Sequence, residues 1–196
     1  DAQESRGLGD VYKRQVITGD PIPSVVRASV KSVFNFDSVG LMNIISDMNQ
    51  EQFAGEPVIY GGAINQGRVN FKVELERVKK KMEAGATFFM TQPVFSDEDI
   101  DRLRQIKEQT GARILCGIMP FVSLRNATFM KNEMTGINVT DEILARYSAD
   151  MTKEEGEETG IQIAKEIITK TSDFVDGYYF SFPFNRVHML EKILNA

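Results

Sequence analysis

An α/β fold built on a parallel sheet is what this sequence predicts, and two observations predict it. Short apolar runs alternate along the chain with amphipathic helical segments. Each run then ends in glycine, proline or a side chain able to hydrogen-bond, and strand ends are where sheets of this kind keep their chemistry. At 196 residues, with 42% hydrophobic and 26% charged content, the chain is long enough for one domain with a buried core.

The first fifteen residues show no apolar periodicity. Their end, Asp10-Val11-Tyr12-Lys13-Arg14-Gln15, is similar to the in-frame translation of a transposon end used in preparing sequencing libraries, so residues 1–15 are expected to be a non-native leader. The first strand is then Val16 to Thr18, followed by Gly19-Asp20-Pro21. Phe34 to Ser38 reads as a loop closing onto a helix start at Ser38. Pro57 to Tyr60 is the second strand, with Gly61-Gly62-Ala63-Ile64-Asn65-Gln66 after it. In the next helix Leu75, Val78 and Met82 share one face. Gly85 follows Ala84, where a helix end needs a residue tolerant of positive φ.

Ala86 to Thr91 is the third strand and ends in Gln92-Pro93. Ser96-Asp97-Glu98-Asp99 has the form of an N-cap with an acidic first turn, favoured by unpaired backbone N–H groups and the helix dipole. The helix it opens carries Ile100, Leu103 and Ile106 on one face. Arg113 to Ile118 is the fourth strand, ending in Met119-Pro120-Phe121. A helix from about Thr152 to Thr171 should bury Ile161, Ala164 and Ile168. Gly177 to Phe182 is the fifth strand, with Pro183-Phe184-Asn185-Arg186 beyond it. All five are expected to be buried on both faces of the sheet. Spacing alone leaves two architectures open, an open doubly wound sheet and a closed (β/α)8 barrel.

Composition excludes several functions. A net charge of −5 argues against a nucleic-acid partner, which needs a dense basic face. No apolar run approaches the roughly 18 residues of a membrane span, and no basic segment precedes an apolar one at the N-terminus, so a cytoplasmic protein with no membrane partner is expected. One cysteine, Cys116, and one histidine, His188, give neither an internal disulfide nor a zinc cluster. Cys116 reads as a small buried hydrophobe in mid-strand and His188 as a packing or surface residue.

The series Ile17-Thr18-Gly19-Asp20-Pro21, Lys81-Met82-Glu83-Ala84-Gly85-Ala86, Met90-Thr91-Gln92-Pro93-Val94-Phe95, Gly117-Ile118-Met119-Pro120 and Phe184-Asn185-Arg186, in that order, resembles the methylenetetrahydrofolate reductase family. The resemblance runs from Val16 to about Leu194 and is most specific between Glu83 and Phe95. It implies a (β/α)8 TIM barrel that is N-terminally truncated, with about five of eight strands present. It also implies FAD as cofactor, NAD(P)H as hydride donor and a small-molecule folate as substrate. The complete protein would be a homo-oligomer that reduces 5,10-methylenetetrahydrofolate to 5-methyltetrahydrofolate.

Site residues follow from the same resemblance. Asp20 matches an aspartate near the flavin and pterin, and Gln92 a glutamine on the folate; these two are the catalytic candidates. Arg186 and Asn185 match the folate and nicotinamide region. Thr18, Gly19, Asp20, Asn65, Lys81 and Ala86 are the expected cofactor-binding positions, with Gln66 beside them in the flavin-binding loop. Tyr60-Gly61-Gly62-Ala63 lacks the aromatic that many single-domain bacterial relatives place beside the flavin, and is more like the branch in which a homocysteine methyltransferase domain precedes the reductase. The family's general acid would lie in strands before Val16, so this chain alone is expected to be inactive. The alternatives are another flavin barrel, such as a proline dehydrogenase-like oxidoreductase, and a barrel remnant without catalysis.

Overall fold

A computed structural model of the protein describes residues 13–18, 29, 35–134 and 136–195. Five strands form one sheet: β1 (Lys13–Gln15), β2 (Ile59–Ile64), β3 (Phe89–Pro93), β4 (Ile114–Ile118) and β5 (Gly177–Phe180). They are hydrogen-bonded in the order β1-β2-β3-β4-β5, and every pair is parallel. A doubly wound sheet must reverse its strand order at a switch point, and no reversal occurs among these strands. Right-handed crossovers that always advance in one direction place their helices on one face. The sheet is therefore a curled half-barrel with an outer helical layer.

That layer comprises α1 (Ser38–Gln50), α2 (Phe71–Glu83), α3 (Asp97–Thr110), α4 (Leu124–Glu133), α5 (Asp141–Ala145), α6 (Lys153–Thr171) and α7 (His188–Leu194). Side chains open the helices where the sequence signals them. Asp37 accepts from Gly40 N, Ser96 accepts from Asp99 N, and Thr152 and Glu155 form a reciprocal capping box. Gly85 adopts φ +92°, and a methyl there would overlap the Tyr60 hydroxyl, which itself donates to Ala84 O at 2.6 Å.

The two faces of the sheet differ. In β4, Ile114, Cys116 and Ile118 are at most 1% exposed and point at the helices, whereas Leu115 is half-buried. Likewise Tyr178 reaches outward to Ile168 O in α6, and its neighbour Tyr179 reaches across the concave face to Thr91 O at 2.5 Å. The expectation of strands buried on both faces is met on the helical face alone, because among the described residues no second layer covers the concave one. Cys116 is fully buried, and desolvation pushes its thiol up to about 12.

Strand boundaries also differ from expectation, by one or two residues in β4 (Ile114–Ile118) and β5 (Gly177–Phe180) and by more in the first three strands. β1 pairs through Lys13–Gln15, and the ladder continues through Val16 N to Gly61 O, so it takes in the last residues of the expected leader rather than Thr18. Ladders are made by backbone groups, and polar side chains do not prevent them. β2 runs on through Gly61 and Gly62, expected as loop. A Cβ on Gly61 would overlap Phe88 O and stand 2.7 Å from the Phe88 ring, and one on Gly62 would meet the Lys81 chain at 3.0 Å. The glycines are there for close approach within the strand. β3 begins at Phe89 and includes Gln92 and Pro93, with a register shift against β4 between Met90 and Pro93.

Candidate functional site at the strand ends

The C-terminal ends of β2 and β3 bring two predicted residues together. Gly136, at φ +88° in the loop between α4 and α5, has an open position where a Cβ would lie 3.8 Å from Asn65 Nδ2 and 4.0 Å from Gln92 Cδ. Asn65 and Gln92 therefore face one spot. Asn65 is held by its backbone, whose N–H donates to Glu74 Oε1 at 3.0 Å, while its side-chain Oδ1 is buried with no hydrogen-bond partner. An orphaned buried acceptor is costly unless something donates to it, and it fits a ligand with N–H or O–H groups.

Gln92 is fixed by its neighbours. Gln66, 1% exposed, donates through Nε2 to Gln92 O at 3.0 Å and accepts from Gln92 N at 3.1 Å. Thr91 Oγ1 donates to the same Gln92 oxygen at 2.7 Å and accepts from Gly117 N at 2.9 Å. The irregularity in the β3–β4 ladder is thus satisfied by side chains, and the backbone that carries the Gln92 amide is locked. Gln66 was expected only as part of a cofactor loop. Its partners lie 26 residues away, a distance no local signal in the sequence spans.

Lys81 departs from ordinary helix lysines. It is 4% exposed, and its ammonium donates to Ala63 O at 2.5 Å after passing the strand at Gly62. Burial lowers its pKa from the usual 10.5, opposed by the charge of Glu74. Among the described residues no carboxylate pairs with it. A buried cation with N–H capacity to spare, bonded to the strand that leads to Asn65, suits a polar, anionic cofactor. Thr18 is half-buried in the extended segment after β1; Gly19 and Asp20 lie outside the described residues. Ala86 is buried in the turn before β3, with the length of that strand between it and Gln92, and is not brought to the others.

Asn185 and Arg186 stand beyond β5, beside a cavity of about 910 Å³ lined among others by Ser123, Leu124, Thr152, Phe184 and Arg186. Arg186 Nε donates to Glu157 Oε1 at 2.5 Å, and His188 Nε2 lies 3.0 Å from Glu157 Oε2. The bonds from His188 and Arg186 hold the Glu157 carboxyl below the usual carboxylate range. Phe184 and Asn185 both adopt positive φ, 54° and 59°. Strain at two consecutive non-glycine residues is kept where the surroundings demand it, often at ligand sites. It turns the Phe184 ring, 74% exposed, into the cavity, with the Arg186 guanidinium 5.5 Å from its centroid.

Residues 15–195 match a family model described as methylenetetrahydrofolate reductase. No curated protein matches the chain. Among solved structures, the chain is similar to an uncharacterized protein from Clostridium thermocellum that binds two copies of 5-methyl-5,6,7,8-tetrahydrofolic acid, with a TM-score of 0.56 and 16% identity. That likeness covers 83% of this chain and 58% of the other, and at such identity it shows the fold.

Proposed function

This chain belongs to the methylenetetrahydrofolate reductase family, and from that premise we propose that it forms part of a flavin-dependent (β/α)8 barrel that reduces 5,10-methylenetetrahydrofolate to 5-methyltetrahydrofolate with NAD(P)H. What carries this proposal is the convergence of Asn65 and the locked Gln92 on one spot at the strand ends. The folate bound by the Clostridium thermocellum neighbour supports the substrate class.

Gln92 presents an amide, which both donates and accepts, to the edge of the pterin. Because Gln66 and Thr91 fix its backbone, little orientational freedom is lost when that edge is recognised. Thr18, Gly19, Asp20, Asn65 and Lys81 would hold FAD, with the Lys81 ammonium neutralising negative charge and the orphaned Asn65 oxygen accepting a hydrogen bond. When bound, FAD supplies the two-electron chemistry that no side chain here possesses. Leu124 and Phe184 offer apolar surface to the remainder of the folate, and Arg186, oriented by Glu157, stands where its carboxylate would pass.

The decisive experiment titrates the purified protein with 5-methyltetrahydrofolate and with FAD, before and after Gln92→Ala. Loss of one or two hydrogen bonds should weaken folate binding roughly tenfold and leave FAD affinity unchanged. If FAD affinity falls as far as folate affinity, the assignment of Gln92 to the pterin is wrong. If the protein binds neither, the barrel is a non-catalytic remnant.

A further inference from the structure

Among the described residues, the lining of the 910 Å³ cavity carries charge of one sign only: it includes Arg125, Lys153 and Arg186 and no carboxylate. Arg186 is neutralised by Glu157, but Arg125 and Lys153 have no ion-pair partner among the described residues. Both are exposed at the mouth. Each is in the first turn of a helix whose N-cap also lines the cavity: Ser123 for α4, of 10 residues, and Thr152 for α6, of 19 residues. Unpaired backbone N–H groups of both helices thus add partial positive charge to the same rim. In the first turn of α6, Glu155 is occupied by its capping box, accepting from Thr152 N at 2.8 Å, and neither it nor Glu154 is among the described lining residues.

We propose that Arg125 and Lys153 form an anion-docking subsite at the cavity mouth that reads the multiply charged end of the ligand whose flat part lies against Phe184 and Leu124. The subsite rests on the reading of the cavity as part of the folate site. The shared chemistry is a flexible tail with clustered negative charge, and two ligands of the proposed reaction carry one. A folate extended by further γ-linked glutamates adds carboxylates, and a dinucleotide bearing an extra phosphate adds two charges. The subsite is specificity-determining: it discriminates between ligands that share a head group and differ in the charge of the tail.

The test is calorimetric binding at low ionic strength to the wild-type protein, to Arg125→Ala/Lys153→Ala and to the charge-conserving Arg125→Lys/Lys153→Arg. The ligands are 5-methyltetrahydrofolate with one and with three glutamates, NADH, NADPH and inorganic tripolyphosphate. Two exposed charges should give the more anionic member of a pair an advantage of roughly three- to tenfold, screened by salt. That advantage should vanish in the alanine variant and survive in the charge-conserving one. The member of the pair that shows it identifies the tail. Equal affinity within both pairs in the wild type, or an advantage that persists in the alanine variant, overturns the proposal. Tripolyphosphate keeps the two readings apart. If it binds the wild type and not the alanine variant while no folate binds, the subsite stands and the folate reading falls; if it binds neither protein, the subsite is overturned.

Discussion

Gly160→Ala on α6 sets helix propensity against packing, and the structure decides between them. In an unobstructed helix the exchange would stabilise by about 1 kcal/mol. Here the added methyl would overlap Phe121 O outright and stand 3.1 Å from its carbonyl carbon and 3.3 Å from its amide nitrogen. Those atoms are backbone and cannot rotate away. The same oxygen accepts the buried Tyr147 hydroxyl at 3.2 Å, and the Phe121 ring stacks on Phe95 at 4.7 Å, so the loop is held from both sides. Relief requires a shift of about an ångström between α6 and the loop, and overpacking of this kind costs typically 1–3 kcal/mol, or more where backbone is involved. Taking the upper end against the propensity gain leaves a net loss of about 2 kcal/mol, or a fall in Tm of about 4–8 °C for a chain of this size. Thermal denaturation followed by circular dichroism measures it. Gly55→Ala, with nothing within 4 Å of its new methyl, is the control and should leave Tm unchanged. A Gly160→Ala variant as stable as the wild type, or more so, would refute the claim that α6 and the loop after β4 meet backbone to backbone.

Burial lowers the Lys81 pKa, so between its folded value and 10.5 the unfolded chain binds more protons and stability should rise with pH. Urea midpoints measured from pH 8 to 10 should lose that slope in Lys81→Met, which should also weaken FAD binding; an unaltered slope would mean that the ammonium is solvated. The Glu157 carboxyl is held low by His188 and Arg186, so its contribution to stability is complete above 4.5 and lost as pH falls through the lowered value. Glu157→Gln should therefore flatten the acid limb of the stability curve and leave its neutral region parallel to wild type. Gln66→Leu removes the amide that clamps Gln92 and leaves the half-buried Gln92 N–H without its partner, the carbonyl keeping only Thr91 Oγ1, so it should destabilise by about 1–3 kcal/mol and raise the folate Kd without altering FAD affinity. Equal losses for both ligands would return Gln66 to a purely structural role.

The parts of this fold legible in the sequence are those set by local physics. Ser96, Thr152 and Gly85 act at helix ends as their side chains, or the lack of one, require, and the apolar face of α3 is buried as its spacing implies. Gly61 and Gly62 misled because the same residue that permits a turn also permits close strand approach, and only the position of Phe88 and Lys81 in space distinguishes the two. α4 and α5 had no counterpart in the reading of the sequence, their apolar spacing being short and interrupted. Gln92 was found through a motif. Its clamp by Gln66, the Arg186–Glu157 pair and the cation-lined cavity were not, since each joins residues separated by a crossover.

Cys116 gives the molecule a built-in clock. It is the chain's one cysteine, it lies at the centre of β4 with 0% exposure, and its thiol is held protonated well past neutrality. A thiol reagent can react only after the β3–β4–β5 region opens and the thiolate forms, so the labelling rate divided by that of a free cysteine gives the population of the opened state directly. The mass of one adduct reads it without ambiguity. Ligands that bind across the ends of these strands must slow the clock in proportion to their occupancy, which makes alkylation of Cys116 a measure of affinity that needs neither turnover nor a coloured cofactor.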